Sequence, residues 1–179
     1  MKKLILGSAI VAVLGVASNA MAAPNSGTVN FTGSVTTATC DFSLKDSTNG
    51  DIANVDLGLL STTSAGNGTP VVFKLVPSDN ACVSKTAANV SWTSPTLAPT
   101  GITNDIKTGG TNAYLKVAAT NATQKGNAAF IQQGQTVFDY TATAGKIPSF
   151  DYSAVLTKPA TGLTAGAFNA SASYVVAYK

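Results

Sequence analysis

The sequence contains no histidine, no arginine and no glutamate; every basic side chain is Lys and every acidic one is Asp. Without His, the Ser-His-Asp and Cys-His arrangements of nucleophilic catalysis lack their general base, and no Lys is set beside an activated Ser. Paired carboxylates are the remaining acid–base option. Of the Asp residues, Asp46, Asp51, Asp79 and Asp105 stand in turn contexts, where Asp caps or bonds its own backbone, and Asp139 and Asp151 fall on the polar parity of strands. No glycine-rich phosphate loop opens a helix; "GNG" and "GG" read as turns. The composition therefore points away from an enzyme, and no catalytic residue, metal or cofactor is expected. Charge is scarce too, at 11% against 45% hydrophobic residues, which is not the profile of a disordered chain.

Only two cysteines are present, Cys40 and Cys82. With no His and only two thiols, a thiolate-type metal site would have to be completed by Asp, an unusual set. One disulfide is the simpler expectation in an exported protein. Export follows from the first residues. Met1-Lys2-Lys3 is basic, residues 4–17 are mostly apolar, and "SNAMA" (18–22) ends in a small-x-small pattern. That is a secretory signal peptide, and the apolar run is short of the roughly 20 residues a spanning helix needs. Cleavage after Ala22 leaves residues 23–179, enough for one domain. Losing Lys2 and Lys3 takes the formal charge from +3 to +1, so no nucleic-acid partner is implied.

Beyond residue 22 no long helical pattern occurs. Short apolar and β-branched runs alternate with Gly, Asn, Pro and Ser clusters, as an all-β sandwich requires. Strands are expected near residues 28–44, 71–77, 88–93, 113–118, 136–142, 150–157 and 168–178. Trp92, Tyr114, Tyr140 and Tyr152 offer rings on which a sugar could stack, but a lone Trp in a strand reads first as core.

The two extremities of the mature chain share one pattern. In "GAFNASASYVVAYK" (166–179), Phe168, Ala170, Ala172, Tyr174, Val176 and Tyr178 fall on one face, opposite Asn169, Ser171 and Ser173. In "NSGTVNFTGSV" (25–35), Asn25, Gly27, Val29 and Phe31 alternate with Ser26, Thr28, Asn30 and Thr32. A strand with a free edge invites pairing with another chain.

With both ends read, the chain resembles the subunits of chaperone–usher fimbriae (pilins) of Gram-negative bacteria. The features that carry the resemblance are the signal peptide, "GTVNFTGSV…TC" leading to Cys40, Cys82 about forty residues later, Gly166 fourteen residues from the C-terminus, and the penultimate Tyr178. The resemblance implies an incomplete immunoglobulin-like β-sandwich of six or more strands that lacks its C-terminal G strand. It also implies three segments: signal peptide 1–22, N-terminal donor-strand extension 23–32, and pilin domain 33–179. The donor face would be Asn25, Gly27, Val29 and Phe31. The acceptor groove would be Gly166 with the inward face of the C-terminal strand, Phe168, Ala170, Ala172, Tyr174, Val176 and Tyr178. A periplasmic chaperone would fill the groove first, anchored on the C-terminal carboxylate of Lys179. At the outer-membrane usher, the arm of a neighbouring fimbrial subunit would replace it, and the fibre would grow on the cell surface. The functional expectation is a structural shaft subunit for bacterial adhesion. The alternatives are a minor adaptor, a polyadhesin that binds a host receptor itself, and a stand-alone secreted sandwich.

Overall fold

In the computed structural model the backbone is described for residues 26–33 and the whole chain for residues 40–179. The expected signal peptide, residues 1–22, and Asn25 lie outside the described residues. Eleven strands are present among the described residues: β1 (Ser26–Gly33), β2 (Phe42–Asp46), β3 (Val55–Leu59), β4 (Val71–Pro77), β5 (Ala87–Thr93), β6 (Leu97–Ala98), β7 (Gly101–Thr103), β8 (Tyr114–Ala119), β9 (Val137–Thr141), β10 (Phe150–Thr157) and β11 (Phe168–Tyr178). They form two sheets, ordered β3-β1-β11-β5-β9 and β2-β4-β10-β8-β7-β6. Every strand pair is antiparallel except β1 with β11. The protein is an all-β sandwich.

Period-two patterning builds both layers. In β4, Phe73, Leu75 and Pro77 are buried while Lys74 and Val76 stay half-exposed. In β10, Phe150, Tyr152, Ala154 and Leu156 point inward and Asp151, Ser153 and Val155 outward. β5 and β9 answer from the other sheet with Ala88, Val90, Trp92, Phe138 and Tyr140. Each fully buried large side chain contributes roughly 1.5–3 kcal/mol of transfer free energy. The core also holds a polar knot: the Trp92 indole N–H (3.1 Å) and the Tyr140 hydroxyl (2.7 Å) both donate to the Tyr152 hydroxyl oxygen. Burial raises both tyrosine hydroxyls well above their ordinary range, so they stay protonated. With Trp92 only 1% exposed, these rings are core and present no sugar-stacking face.

Cys40 and Cys82 form a disulfide with a Cα–Cα distance of 6.1 Å, both residues being buried. Closing a loop of this length stabilises by about 4 kcal/mol in the chain-entropy model. Cys82 sits on the one-turn helix α1 (Asn80–Val83), whose N-cap Asp79 accepts the Ala81 N–H at 2.7 Å. Asp46 likewise accepts from the Thr48 hydroxyl and from the Thr48 and Gly50 N–H groups, which hold its carboxyl below the usual carboxylate range.

Two sequence expectations are corrected. The single strand expected over residues 28–44 is two strands, β1 and β2, in different sheets. Val and Thr carry strand propensity wherever they stand, so composition does not mark where a chain changes layer. β3 was not expected at all, because Asp56 and Gly58 break a short run.

Candidate strand-acceptor site

β11 is held differently along its two halves. From Ser173↔Thr93 to Tyr178↔Ala88 it pairs with β5, and the Lys179 N–H extends the ladder to the Ala87 carbonyl at 2.8 Å. From Phe168 to Tyr174 it pairs with β1, in the register Gly27↔Phe168 to Gly33↔Tyr174. Over this first half the opposite edge is met by a loop. Asp105 N–H donates to the Asn169 carbonyl (2.7 Å), Asn169 N–H donates to Asn104 Oδ1 (2.9 Å), and the Ser94 hydroxyl donates to the Ser171 carbonyl (2.7 Å). Backbone groups alternate in direction along a strand. The main-chain groups of Phe168, Ala170 and Ala172 are therefore turned toward β1.

The side chains follow the same parity. Phe168, Ala170, Ala172 and Val176 are buried, Tyr174 and Tyr178 are half-buried, and Asn169, Val175 and Ala177 are exposed. Tyr174 and Tyr178 pack on Phe42, at centroid distances of 6.1 and 6.5 Å. Burial pushes the Tyr178 hydroxyl up to about 12, and this buried oxygen has no hydrogen-bond partner among the described residues.

Gly166 marks the start of the strand for a steric reason. Its φ is +151°, and a Cβ there would lie 2.5 Å from the Gly109 carbonyl oxygen and 2.6 Å from the Thr111 nitrogen. Only glycine lets the two backbones cross so closely. The crossing is fixed by Asn104, buried among them, whose Nδ2 donates to the carbonyls of Thr111 (2.9 Å) and Ala167 (2.8 Å). At the other end, Lys179 is exposed, with its ammonium 3.7 Å from Asp139 Oδ1.

Sequence reading missed the second wall of the site. β1 is not at the sheet edge but between β11 and β3, pairing with β3 through Ser26↔Leu59, Thr28↔Asp56 and Val29↔Val55. The β3 strand bulges at Gly58, whose φ is +66° and whose N–H donates to Asp56 Oδ1 at 2.9 Å. Val55 and Leu57 are buried and Leu59 is exposed. The alternation of Val55, Leu57 and Leu59 in "VDLGL" was the available signal. β1 is the strand through which β3 joins its sheet among the described residues. The slot thus has two walls, β11 and β3, and the family resemblance implies only the first. Of the expected donor residues, Gly27, Val29 and Phe31 lie on β1 beside Phe168, Ala170 and Ala172.

Fold and slot together define a class: a β-sandwich subunit whose five-stranded sheet is completed from within by a strand near the start of the chain. Comparison with known proteins gives this class its family. The chain is 36% identical to the K99 fimbrial protein of Escherichia coli over 189 aligned residues, covering 99% of each chain. It belongs to the fimbrial subunit family, of the chaperone–usher type. A scan against protein-family models finds no match.

Proposed function

We propose that this fimbrial subunit polymerises by strand exchange, the arm of one copy completing the sheet of the next. The observation that carries the reading is the place of β1. It fills an interior position between β11 and β3, yet it belongs to a segment that residues 34–41 join to the rest of the domain. Such a strand can be replaced by an identical one from another chain, because main-chain hydrogen bonds supply affinity and alternate side chains supply register. A one-residue slip would turn Val29 and Phe31 to the wrong face, which fixes the pairing.

On this reading residues 1–22 direct export, residues 23–32 act as the donor extension, and residues 33–179 form the pilin domain. A periplasmic chaperone holds the unfinished subunit and contacts the C-terminal carboxylate of Lys179. An outer-membrane usher then exchanges the chaperone for a neighbouring subunit, and the product is a surface fibre that serves adhesion. The exposed position of Lys179 supports access to that carboxylate.

The test is Phe31→Asp in the full chain, expressed with its cognate chaperone and usher. Chaperone-bound subunit should accumulate normally while surface fibres, counted by electron microscopy, are lost. Fibres at the normal level would remove the donor assignment.

A further inference from the structure

An asparagine followed by glycine is open to attack from its own backbone, because a nitrogen with no Cβ beside it can reach the preceding side-chain amide. The sequence holds two such pairs, Asn49-Gly50 and Asn67-Gly68. Both asparagines are exposed, but different groups hold them.

At Asn67 each reacting group is tied to a neutral main-chain partner. Asn67 Oδ1 accepts the Lys158 N–H at 3.0 Å, and the Gly68 N–H donates to the Leu156 carbonyl of β10 at 2.8 Å. A Cβ on Gly68 would lie 3.3 Å from that same carbonyl oxygen, so the glycine is pressed against the strand. A peptide carbonyl is too weak a base to take the proton of an attacking nitrogen.

At Asn49, in the turn after β2, the partners are charged. The Gly50 N–H donates to Asp46 Oδ1 at 2.9 Å, and the Lys74 ammonium donates to Asn49 Oδ1 at 3.1 Å. Lys45, the register partner of Lys74, is drawn off to Asp51 at 2.7 Å. The turn is closed by the Asp46 N–H on the Gly50 carbonyl (2.9 Å) and the Asn49 N–H on the Asp46 carbonyl (3.2 Å). A carboxylate on the nucleophile's N–H is a general base already in place. An ammonium on the carbonyl oxygen stabilises the oxyanion that attack creates.

We propose that Asn49 is a self-catalysed modification site, where Asp46 and Lys74 assist cyclisation by Gly50 and water completes the conversion to aspartate or isoaspartate. The Gly50 nitrogen bonds to Asn49 Cγ while its proton passes to Asp46, and Lys74 meets the charge on Oδ1. The proton then moves from Asp46 to the departing nitrogen, the Cγ–Nδ2 bond breaks, and ammonia leaves a succinimide. Water opens the ring at Cγ to give aspartate, or at the main-chain carbonyl to give isoaspartate, with a proton released to solvent. A neutral amide facing Lys74 becomes a carboxylate, so the subunit carries a chemical record of its age.

The full chain, incubated folded and in urea at physiological temperature and pH, tests this. Peptide mass spectrometry reads the amide-to-acid mass change at each asparagine, and enzymatic methylation counts isoaspartate. In urea the two sites should convert at similar rates, whereas in the folded chain Asn49 should outpace Asn67 by about tenfold. Asp46→Asn keeps an oxygen that can accept the Gly50 N–H but supplies no base, and should slow Asn49 by about tenfold while leaving Asn67 unchanged. Lys74→Met should slow Asn49 by a smaller factor. Equal rates at the two sites of the folded chain would overturn the proposal. So would conversion at Asn49 that both variants leave unchanged, or that Asp46→Asn accelerates, since the carboxylate would then be a restraint rather than a base.

Discussion

β11 has a different neighbour along each half, one antiparallel and one parallel. Along its C-terminal half it is antiparallel to β5, which is itself locked to β9 and to the aromatic core through Val90 and Trp92. Along its N-terminal half it is parallel to β1, a strand joined to the domain through residues 34–41. The first half therefore needs a different kind of support. It receives one edge from an inserted strand and the other from Asn104, Asp105 and the glycine crossing at Gly166. On the strand-exchange proposal the groove has to keep its shape while its occupant changes, and this polar clasp provides the support.

The clasp is where the comparison breaks most readily. Gly166→Ala drives a methyl group into the Gly109–Thr111 backbone and forces a side chain into positive φ. A loss of roughly 3 kcal/mol is expected, measured by thermal or denaturant unfolding of the isolated subunit. An unchanged midpoint would mean that the crossing is not rigid. Asn104→Ala leaves the Thr111 and Ala167 carbonyls without their side-chain donor and should cost about 2 kcal/mol. The loss should appear with slower strand uptake, since it loosens the slot rather than the β5 side.

At the settled end the expected effect is smallest. Tyr178→Phe removes a buried hydroxyl that has no partner among the described residues, so stability at neutral pH should be unchanged or slightly higher. The same hydroxyl sets an alkaline limit. Its folded pKa of about 12 lies above the ordinary value of 10, so the contribution of the neutral form is complete below pH 10 and is lost as pH rises toward 12. Ultraviolet titration of the tyrosines, compared between the wild type and Tyr178→Phe, measures this directly. A normal pKa would show that the ring is open to water.

Much of this was legible in the residues, and what was not has physical causes. β4, β10 and β11 were expected at the bounds they have, because strict alternation of large apolar and polar residues leaves one register. The inward parity of Phe168, Ala170 and Ala172 was visible for the same reason. β3 was hidden because its bulge needs Gly58 and its turn needs Asp56, two residues that read as loop. The direction of β1 was hidden more deeply, because a period of two is the same forwards and backwards. Asn104 was invisible because a polar residue in a loop gives no hint that it is buried between two backbones.

The central claim is that the first half of β11 depends on a removable strand and the second half does not. Amide hydrogen exchange, compared between the wild-type subunit and Phe31→Asp, tests it residue by residue. Protection should fall at Phe168, Ala170 and Ala172, whose N–H groups face the slot, while Val175, Ala177 and Lys179, on the β5 side, keep theirs. Equal loss along the whole strand, or no loss at Phe168, Ala170 and Ala172, would contradict the account.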